Sequence, residues 1–426
     1  MSTAAPTTPA QEKKPSPAML RFLLVILFLD SAGVGLILPV LPKLIEDLSG
    51  LGNADVTAIG GWIYFAYAVM QFFSAPLLGG ISDQFGRRPV LIVALFGLSL
   101  DYLLMAFAPT LAFLFLARLI AGIFGATYTA VNAAIVDTTD EQSRAKYFGW
   151  GGAVSGIGLI FGPVLGGLLG AESLRLPFII AGMAAFAAAV YGWFMFTETL
   201  APENKRPFSL KRANPIGSLI SIARNPSGGR QVSVLLLSFF IIYLANMSYI
   251  TMWPFFTIEV FNWGTFMIGI SVAFYGICMA LVQGVLTGPV VKRIGEARAV
   301  AFGFFMAVIS YILIGFVSFS PFPQTSLFII VVLGAFGGFL FPAMQALMSK
   351  ATPANAQGEL QGAISCCYSI SSIIGPVIMA TALSTFSDDI GLYLPGAPFL
   401  LGAILSLTAL LVFKTVEKQF SKNRTD

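Results

Sequence analysis

Twelve apolar segments follow one another along the chain, separated by shorter polar stretches. A helix needs about 20 apolar residues to cross a bilayer. The segments are continuous and lack the alternation of apolar and polar positions that marks outer-membrane strands. The pattern predicts an all-α polytopic membrane protein with twelve transmembrane helices. The segments run roughly over 19–41, 58–81, 89–108 and 111–136, then two between 147 and 197, then 231–253, 265–288, 300–319, 326–350, 361–386 and 397–414.

The basic residues predict the topology. Only 10% of the residues are charged and 57% are hydrophobic, against about a quarter charged in soluble domains. Lys43 and Arg175 lie on one side of the predicted membrane and Arg118 lies within a segment, whereas all other Lys and Arg residues fall in the tails and alternate loops on the other side. By the positive-inside rule, both termini and the central loop are cytoplasmic. The charge therefore gives no reason to infer a nucleic-acid partner.

The histidine and cysteine content of the chain excludes several kinds of functional site. The chain has no histidine, which excludes His-based metal sites and His general bases. Cys278, Cys366 and Cys367 all lie in apolar segments, where we expect small packing residues without disulfides. No cofactor, metal site or enzymatic activity is predicted.

The two halves of the chain repeat. Gly162-Pro163 corresponds to Gly375-Pro376 at an offset of about 213 residues, and Gly86 corresponds to Gly295 at about 209. Asn132 and Gln345 (about 213) and Pro39 and Pro254 (about 215) also match. Near-constant offsets predict two pseudo-symmetric six-helix bundles with the site where they meet. The predicted parts are a disordered cytoplasmic tail (1–18), an N-terminal bundle (19–198), a cytoplasmic loop (199–230), a C-terminal bundle (231–415) and a cytoplasmic tail (416–426).

Three ionisable residues lie deep in the predicted spans of the first half. Asp30 is about eleven residues into the first segment, near the bilayer midplane. A charge there costs at least about 2.5 kcal/mol, so it should face the bundle interior or a wet cavity. A functional role is the default for such a residue; the alternative is a neutral aspartic acid hydrogen-bonded between helices.

Asp101 and Arg118 lie at similar depths on neighbouring antiparallel segments, each about seven residues from the short loop at Pro109-Thr110. We therefore predict a buried ion pair. Pairing offsets the desolvation of both charges. A purely structural role and a role in proton transfer both remain open.

Two glycine-containing motifs stand out. Between segments 2 and 3 a polar island carries one carboxylate, two guanidinium groups and turn-forming glycines: Gly79, Asp83, Gly86, Arg87 and Arg88. In segment 5, Gly158, Gly162, Gly166 and Gly170 form a smooth ridge at a spacing of four, with Pro163 and Gly167 beside it. Such a ridge lets a second helix pack backbone to backbone.

These motifs resemble those of a known family. The polar island resembles the loop signature of the major facilitator superfamily, and the Gly-Pro ridge resembles the segment 5 signature of its proton-driven antiporters. Together with Leu29–Pro42, Ser99–Leu104, Ala117–Gly122 and Pro342–Leu347, they resemble the bacterial tetracycline/proton antiporters of the drug:proton antiporter family.

The resemblance implies a function and roles. It implies a multi-pass protein of the bacterial inner membrane that exports small molecules in exchange for protons, as in multidrug efflux and antibiotic resistance. Asp30, Asp101 and Arg118 would serve proton coupling, and Asp83, Arg87 and Arg88 would gate the cytoplasmic side. The partners would be a small-molecule substrate, protons and the lipid bilayer, and we expect a monomer.

The sequence does not identify the substrate, because the chain departs from the tetracycline antiporters in two segments. Segment 9 carries no carboxylate, and no histidine is present in segment 8. An amphipathic or lipid-like substrate is an alternative to tetracycline. From helix position alone, the candidate cavity residues are Gln71, Asn132, Tyr243, Asn246, Gln283, Phe304, Phe341 and Gln345.

Three other functions compete with antiport. A symporter or facilitative carrier of the same fold is the nearest. A membrane-embedded enzyme lacks support from paired catalytic acids or histidine. A receptor or scaffold would not need two matched halves with buried charges.

Overall fold

A computed structural model describes residues 17–125, 127–209, 229–387 and 392–422. The predicted tail 1–18, loop 199–230 and tail 416–426 therefore lie partly outside the described residues. Within them the regular structure is helical, and twelve helices are long and apolar enough to cross a membrane. The predicted fold class is confirmed.

The membrane-crossing helices are numbered here in chain order. The first six are α1 (Pro17–Ser49), α2 (Asn53–Phe85), α3 (Arg87–Ala106), α4 (Leu111–Thr138, interrupted after Phe124), α5 (Glu141–Glu172) and α6 (Leu176–Met195). The second six are α7 (Gly229–Phe261), α8 (Thr265–Ile294), α9 (Glu296–Gly315), α10 (Pro323–Ala351), α11 (Gln357–Thr385) and α12 (Ala397–Lys422). An even number of crossings returns the chain to the face from which α1 starts. We call this the terminal face and the other the opposite face.

Several helices extend beyond their apolar segments. The first helix begins at Pro17 and α12 ends at Lys422, so both enter the predicted tails. The stretch from Asp137 to Lys146 was expected to be a loop, but only Thr139 and Asp140 lie between α4 and α5. The Asp140 carboxylate caps α5 by accepting a hydrogen bond from the Ser143 N–H at 2.7 Å. Such an N-cap satisfies a free backbone donor and lets the helix start in polar surroundings.

The glycine ridge of α5 packs against α1, as its spacing predicts. A Cβ atom at Gly158 would lie 2.9 Å from the carbonyl oxygen of Phe28, and one at Gly166 would lie 3.0 Å from the Cα of Leu36. On the other side of α5, the Gly167 carbonyl accepts a hydrogen bond from the Thr265 hydroxyl of α8 at 3.2 Å. This helix therefore lies between α1 of its own half and α8 of the other half.

We expect Gly162→Ala to destabilise the protein by about 1–3 kcal/mol, the usual cost of overpacking. The new methyl group would lie 3.0 Å from the Ala32 carbonyl carbon and 3.0 Å from the Leu36 nitrogen, both of which are backbone atoms of α1. Thermal denaturation in detergent measures the effect. The matched control is Gly149→Ala in the same helix, where a Cβ has nothing within 4 Å. Equal melting temperatures for the two variants would contradict close α1–α5 packing.

The two halves meet closely at the opposite face. There α2 contacts α11, where a Cβ at Gly61 would lie 3.0 Å from the Pro376 carbonyl oxygen, and α5 contacts α8 through Gly167 and Thr265. Towards the terminal face the glycines Gly152, Gly156 and Gly284 have open space around them. The interface is therefore closed on one side and open on the other.

Candidate transport site

A cavity of about 830 Å³ lies between the halves at mid-depth. The first half contributes its charged residues Asp30, Asp101 and Arg118. The second half contributes an aromatic wall, in which the rings of Tyr249 and Tyr275 stack in parallel with centroids 5.1 Å apart. The charged side chains of the cavity therefore lie on the first-half wall, and the second-half wall carries a cluster of aromatic rings.

Asp30 faces this cavity from α1. Its side chain is half-buried and lines the cavity. In the described part of the chain, no hydrogen bond or ion pair to its carboxylate is found. One turn further along α1, Gly33 leaves room for the Tyr102 side chain, whose ring carbon Cζ is 2.7 Å from where a Cβ would be. This carboxyl group can therefore exchange protons with the cavity without first breaking an ion pair.

Asp101 and Arg118 form the buried ion pair that the sequence predicts. The Arg118 Nη2 atom donates to both carboxylate oxygens of Asp101. Asp101 is 1% exposed and Arg118 is 6% exposed. The Arg118 Nε–H is buried and has no partner among the described residues. The pair lies in the cavity wall, and the Arg118 Nε–H is not used by it.

Only part of the predicted cavity set lines the cavity. Gln71, Asn246 and Gln283 do so. Phe304 does not, because its side chain is fully buried against Phe413 of α12. Tyr243 packs behind the wall against Tyr368, and Phe341 borders a small adjoining pocket of about 30 Å³. Asn132 and Gln345 are half-buried elsewhere.

Sequence reasoning missed the tyrosines and the tryptophan of the cavity. These side chains are Tyr64, Tyr67, Tyr102, Tyr249, Trp253, Tyr275 and Tyr368. Aromatic residues with a polar tip are disfavoured in a purely apolar helix face, because a buried hydroxyl needs a partner. Tyrosines in the middle of a predicted span are the signal that could have found them.

The motif between α2 and α3 forms an ion-pair network at the terminal face. Arg87 donates from Nη1 to Asp83 at 2.6 Å and from Nε to Asp137 of α4 at 2.9 Å. Gly86 turns the chain with φ of 110°, which disfavours any side chain. Gly79 has open space around it. Arg87 thus ties the end of α2 to the end of α4.

The network includes Glu198, which was not expected there. Its carboxylate accepts hydrogen bonds from the backbone N–H groups of Arg87 at 2.8 Å and Arg88 at 3.2 Å. An anion at a helix N-terminus is stabilised by the free donors and the helix dipole. Arg88 in turn donates to the Trp193 carbonyl oxygen at 2.5 Å. Glu198, at the end of the first half, is therefore hydrogen-bonded to the start of α3.

No group of His, Cys, Asp or Glu side chains that could hold a metal ion is found in the ranges that the structure describes.

The architecture defines a membrane transporter. It has two matched six-helix halves, a mid-membrane cavity between them and an interface that is closed on one face.

The comparisons with known proteins identify the family. The sequence profile described as Major Facilitator Superfamily matches residues 23–320 and 235–425. The chain belongs to this superfamily and, within it, to the drug:proton antiporters. It is 38% identical to the tetracycline resistance protein, class C, of Escherichia coli over 388 residues, covering 90% of this chain and 93% of that protein. It is 34% identical to the class B protein of Escherichia coli over 405 residues, covering 94% and 98%.

Solved transporters share the fold. The human organic anion transporter MFSD10 (TETRAN) matches with a TM-score of 0.68 at 25% identity, over 94% of this chain and 100% of that one. An inward-facing bacterial homologue of the human lysosomal transporter Spinster matches with a TM-score of 0.74 at 16% identity, over 96% and 98%. The family match, the tetracycline resistance relatives and the twelve candidate membrane spans show that the chain is a multi-pass inner-membrane transporter and not an enzyme.

Proposed function

We propose that the protein is a proton-coupled antiporter that exports a small amphipathic, drug-like compound by alternating access. The observation that carries the proposal is Asp30, a carboxyl group without a described partner that lines the cavity between the halves. Sequence relatives named tetracycline resistance proteins support export of a drug. The distribution of basic residues supports a cytoplasmic terminal face.

With this orientation, the cavity is open to the cytoplasm. Burial disfavours the charged form of a carboxyl group, so Asp30 would carry a proton from the outside and release it where the cavity meets the cytoplasm. Substrate would bind as the proton leaves. At about 2.3 kcal/mol per charge per 100 mV, one or two protons entering would drive a useful export ratio. The outer closure at Gly61 and Gly167 would have to open in the other half of the cycle.

The cavity walls suit an amphipathic substrate. The aromatic wall offers flat apolar surface, whereas the charged groups of the cavity lie on the first half. Cavities of about 300–1,000 Å³ accept drug-sized ligands. The cavity's second-half wall has no carboxylate in its described residues. That absence supports testing a panel of cationic, zwitterionic and lipid-like compounds, and the names of the tetracycline resistance relatives make tetracycline the first compound in it.

Substrate-induced proton movement tests the proposal. In proteoliposomes with an acidic interior and a pH-sensitive dye inside, addition of an exported substrate should make the interior less acidic, because protons leave as substrate enters. A symporter would acidify the interior further. A facilitative carrier would take up substrate with no change of pH, and either of these results would overturn antiport.

A further inference from the structure

Each half contains a similar polar contact at mid-depth, between a glutamine side chain and a backbone carbonyl group of the same half. In the first half, the Gln71 amide Nε2 of α2 donates to the Gly125 carbonyl oxygen of α4 at 3.1 Å. In the second half, the Gln283 amide Nε2 of α8 donates to the Gly338 carbonyl oxygen of α10 at 3.5 Å. The glutamines are offset by about 212 residues and the glycines by about 213. These are the offsets of the internal repeat.

Both acceptors lie where a helix is interrupted. The first piece of α4 ends at Phe124, Gly125 has a ψ of 1°, and the second piece begins at Thr127. In α10 the α-helix gives way to a 3-10 segment over Phe336–Phe339. Such changes interrupt the regular ladder of backbone hydrogen bonds and often mark hinges. An unpaired carbonyl inside a membrane is costly, and each glutamine donates to a carbonyl oxygen at such an interruption.

The neighbourhood of the two contacts is also matched. Tyr67 lies one turn before Gln71 and its hydroxyl accepts from the same amide at 3.0 Å. Met279 lies one turn before Gln283, and its sulfur would be 3.1 Å from a Cβ at Gly338. Around Gln283 the α8 helix itself widens into a π-helical segment over Val282–Leu286. Both glutamines line the cavity, so each hinge lies beside the transport path.

We propose that Gln71 and Gln283 are paired positioning residues for transport, each holding the interrupted helix of its own half against its neighbour while the cavity is open to the terminal face. Removing the amide donor leaves the hinge carbonyl without this partner in that conformation. The equilibrium then shifts towards the conformation closed at the terminal face. The proposal rests on the transport function but needs neither proton coupling nor a particular substrate.

Labelling of cysteine reporters measures this equilibrium. In a background with Cys278, Cys366 and Cys367 replaced by alanine, Ala153→Cys reports access to the cavity, which that residue lines. In a second reporter chain, Thr57→Cys reports opening at the opposite face, where Thr57 is 4% exposed. The maleimide labelling rate of Ala153→Cys is divided by that of Thr57→Cys to give the labelling ratio. Both rates are measured in detergent, without a substrate or a proton gradient.

Gln71→Met and Gln283→Met keep the length of the side chain but remove its donor. Loss of one hydrogen bond predicts that the labelling ratio falls by about threefold to tenfold, with Gln71→Met giving the larger change because its bond is shorter. The double variant should multiply the two effects, because separated sites contribute additively in free energy. The control is Gln324→Met, at the exposed opposite-face end of α10.

An unchanged labelling ratio in folded Gln71→Met and Gln283→Met proteins would overturn the proposal. A fall in melting temperature without a change in the ratio would show a packing role only, which also overturns it. Because no gradient is applied, the result is independent of whether Asp30 couples transport to protons.

Discussion

Asp30→Asn is expected to abolish substrate accumulation driven by a proton gradient in everted membrane vesicles. Asparagine keeps the size and polarity of the side chain but cannot carry a proton. One proton moving through 100 mV is worth about 2.3 kcal/mol, which corresponds to an accumulation ratio of roughly 50. For the variant this ratio should fall to about 1. Radiolabelled or fluorescent substrate measures it.

Two further measurements make the Asp30 result specific. Exchange of labelled for unlabelled substrate needs no net proton movement, and we expect the variant to retain it. The matched control is Glu46→Gln in the same helix, where the carboxylate pairs with Lys43 at 2.8 Å near the opposite face. A surface pair of this kind contributes about 0–1 kcal/mol, so accumulation should survive. Full accumulation by Asp30→Asn would remove this residue from the coupling mechanism.

The sequence predicted the helices well because the membrane imposes one rule on all of them. A chain in lipid must satisfy its backbone polar groups internally, so each long apolar segment becomes a helix. Depth along the segments also placed Asp101 opposite Arg118, because residue number converts directly to height in a helix. The Asp101–Arg118 contact was predictable for this reason.

The orientation of side chains around each helix was less predictable. In a membrane, lipid-facing and core-facing positions are both apolar, so hydrophobicity did not show that Phe304 packs on Phe413 rather than in the cavity. The interruption of α4 at Gly125 was missed because the apolar segment continues through it. Glu198 was missed because its partner Arg87 is 111 residues away in the chain. Such contacts depend on packing of the whole bundle.

The second large effect is expected at the buried ion pair. Arg118→Met should destabilise the protein by about 3–5 kcal/mol, because it leaves the Asp101 charge buried without its partner. Asp101 is 1% exposed, so water cannot replace the guanidinium group. Asp101→Asn should likewise destabilise the protein, because it leaves the Arg118 charge unpaired. Thermal denaturation of purified protein in detergent measures both losses.

The double variant Asp101→Asn with Arg118→Met separates stability from function. It removes both charges together, so most of the stability lost in either single variant should return. A double variant no more stable than the worse single variant would show that the two charges do not compensate each other. The pair lies in the wall of the same cavity as Asp30. Because the double variant should be stable, transport can also be measured in a folded protein that lacks the pair. Retained proton-driven accumulation would make the pair structural, whereas exchange without accumulation would place it on the proton path.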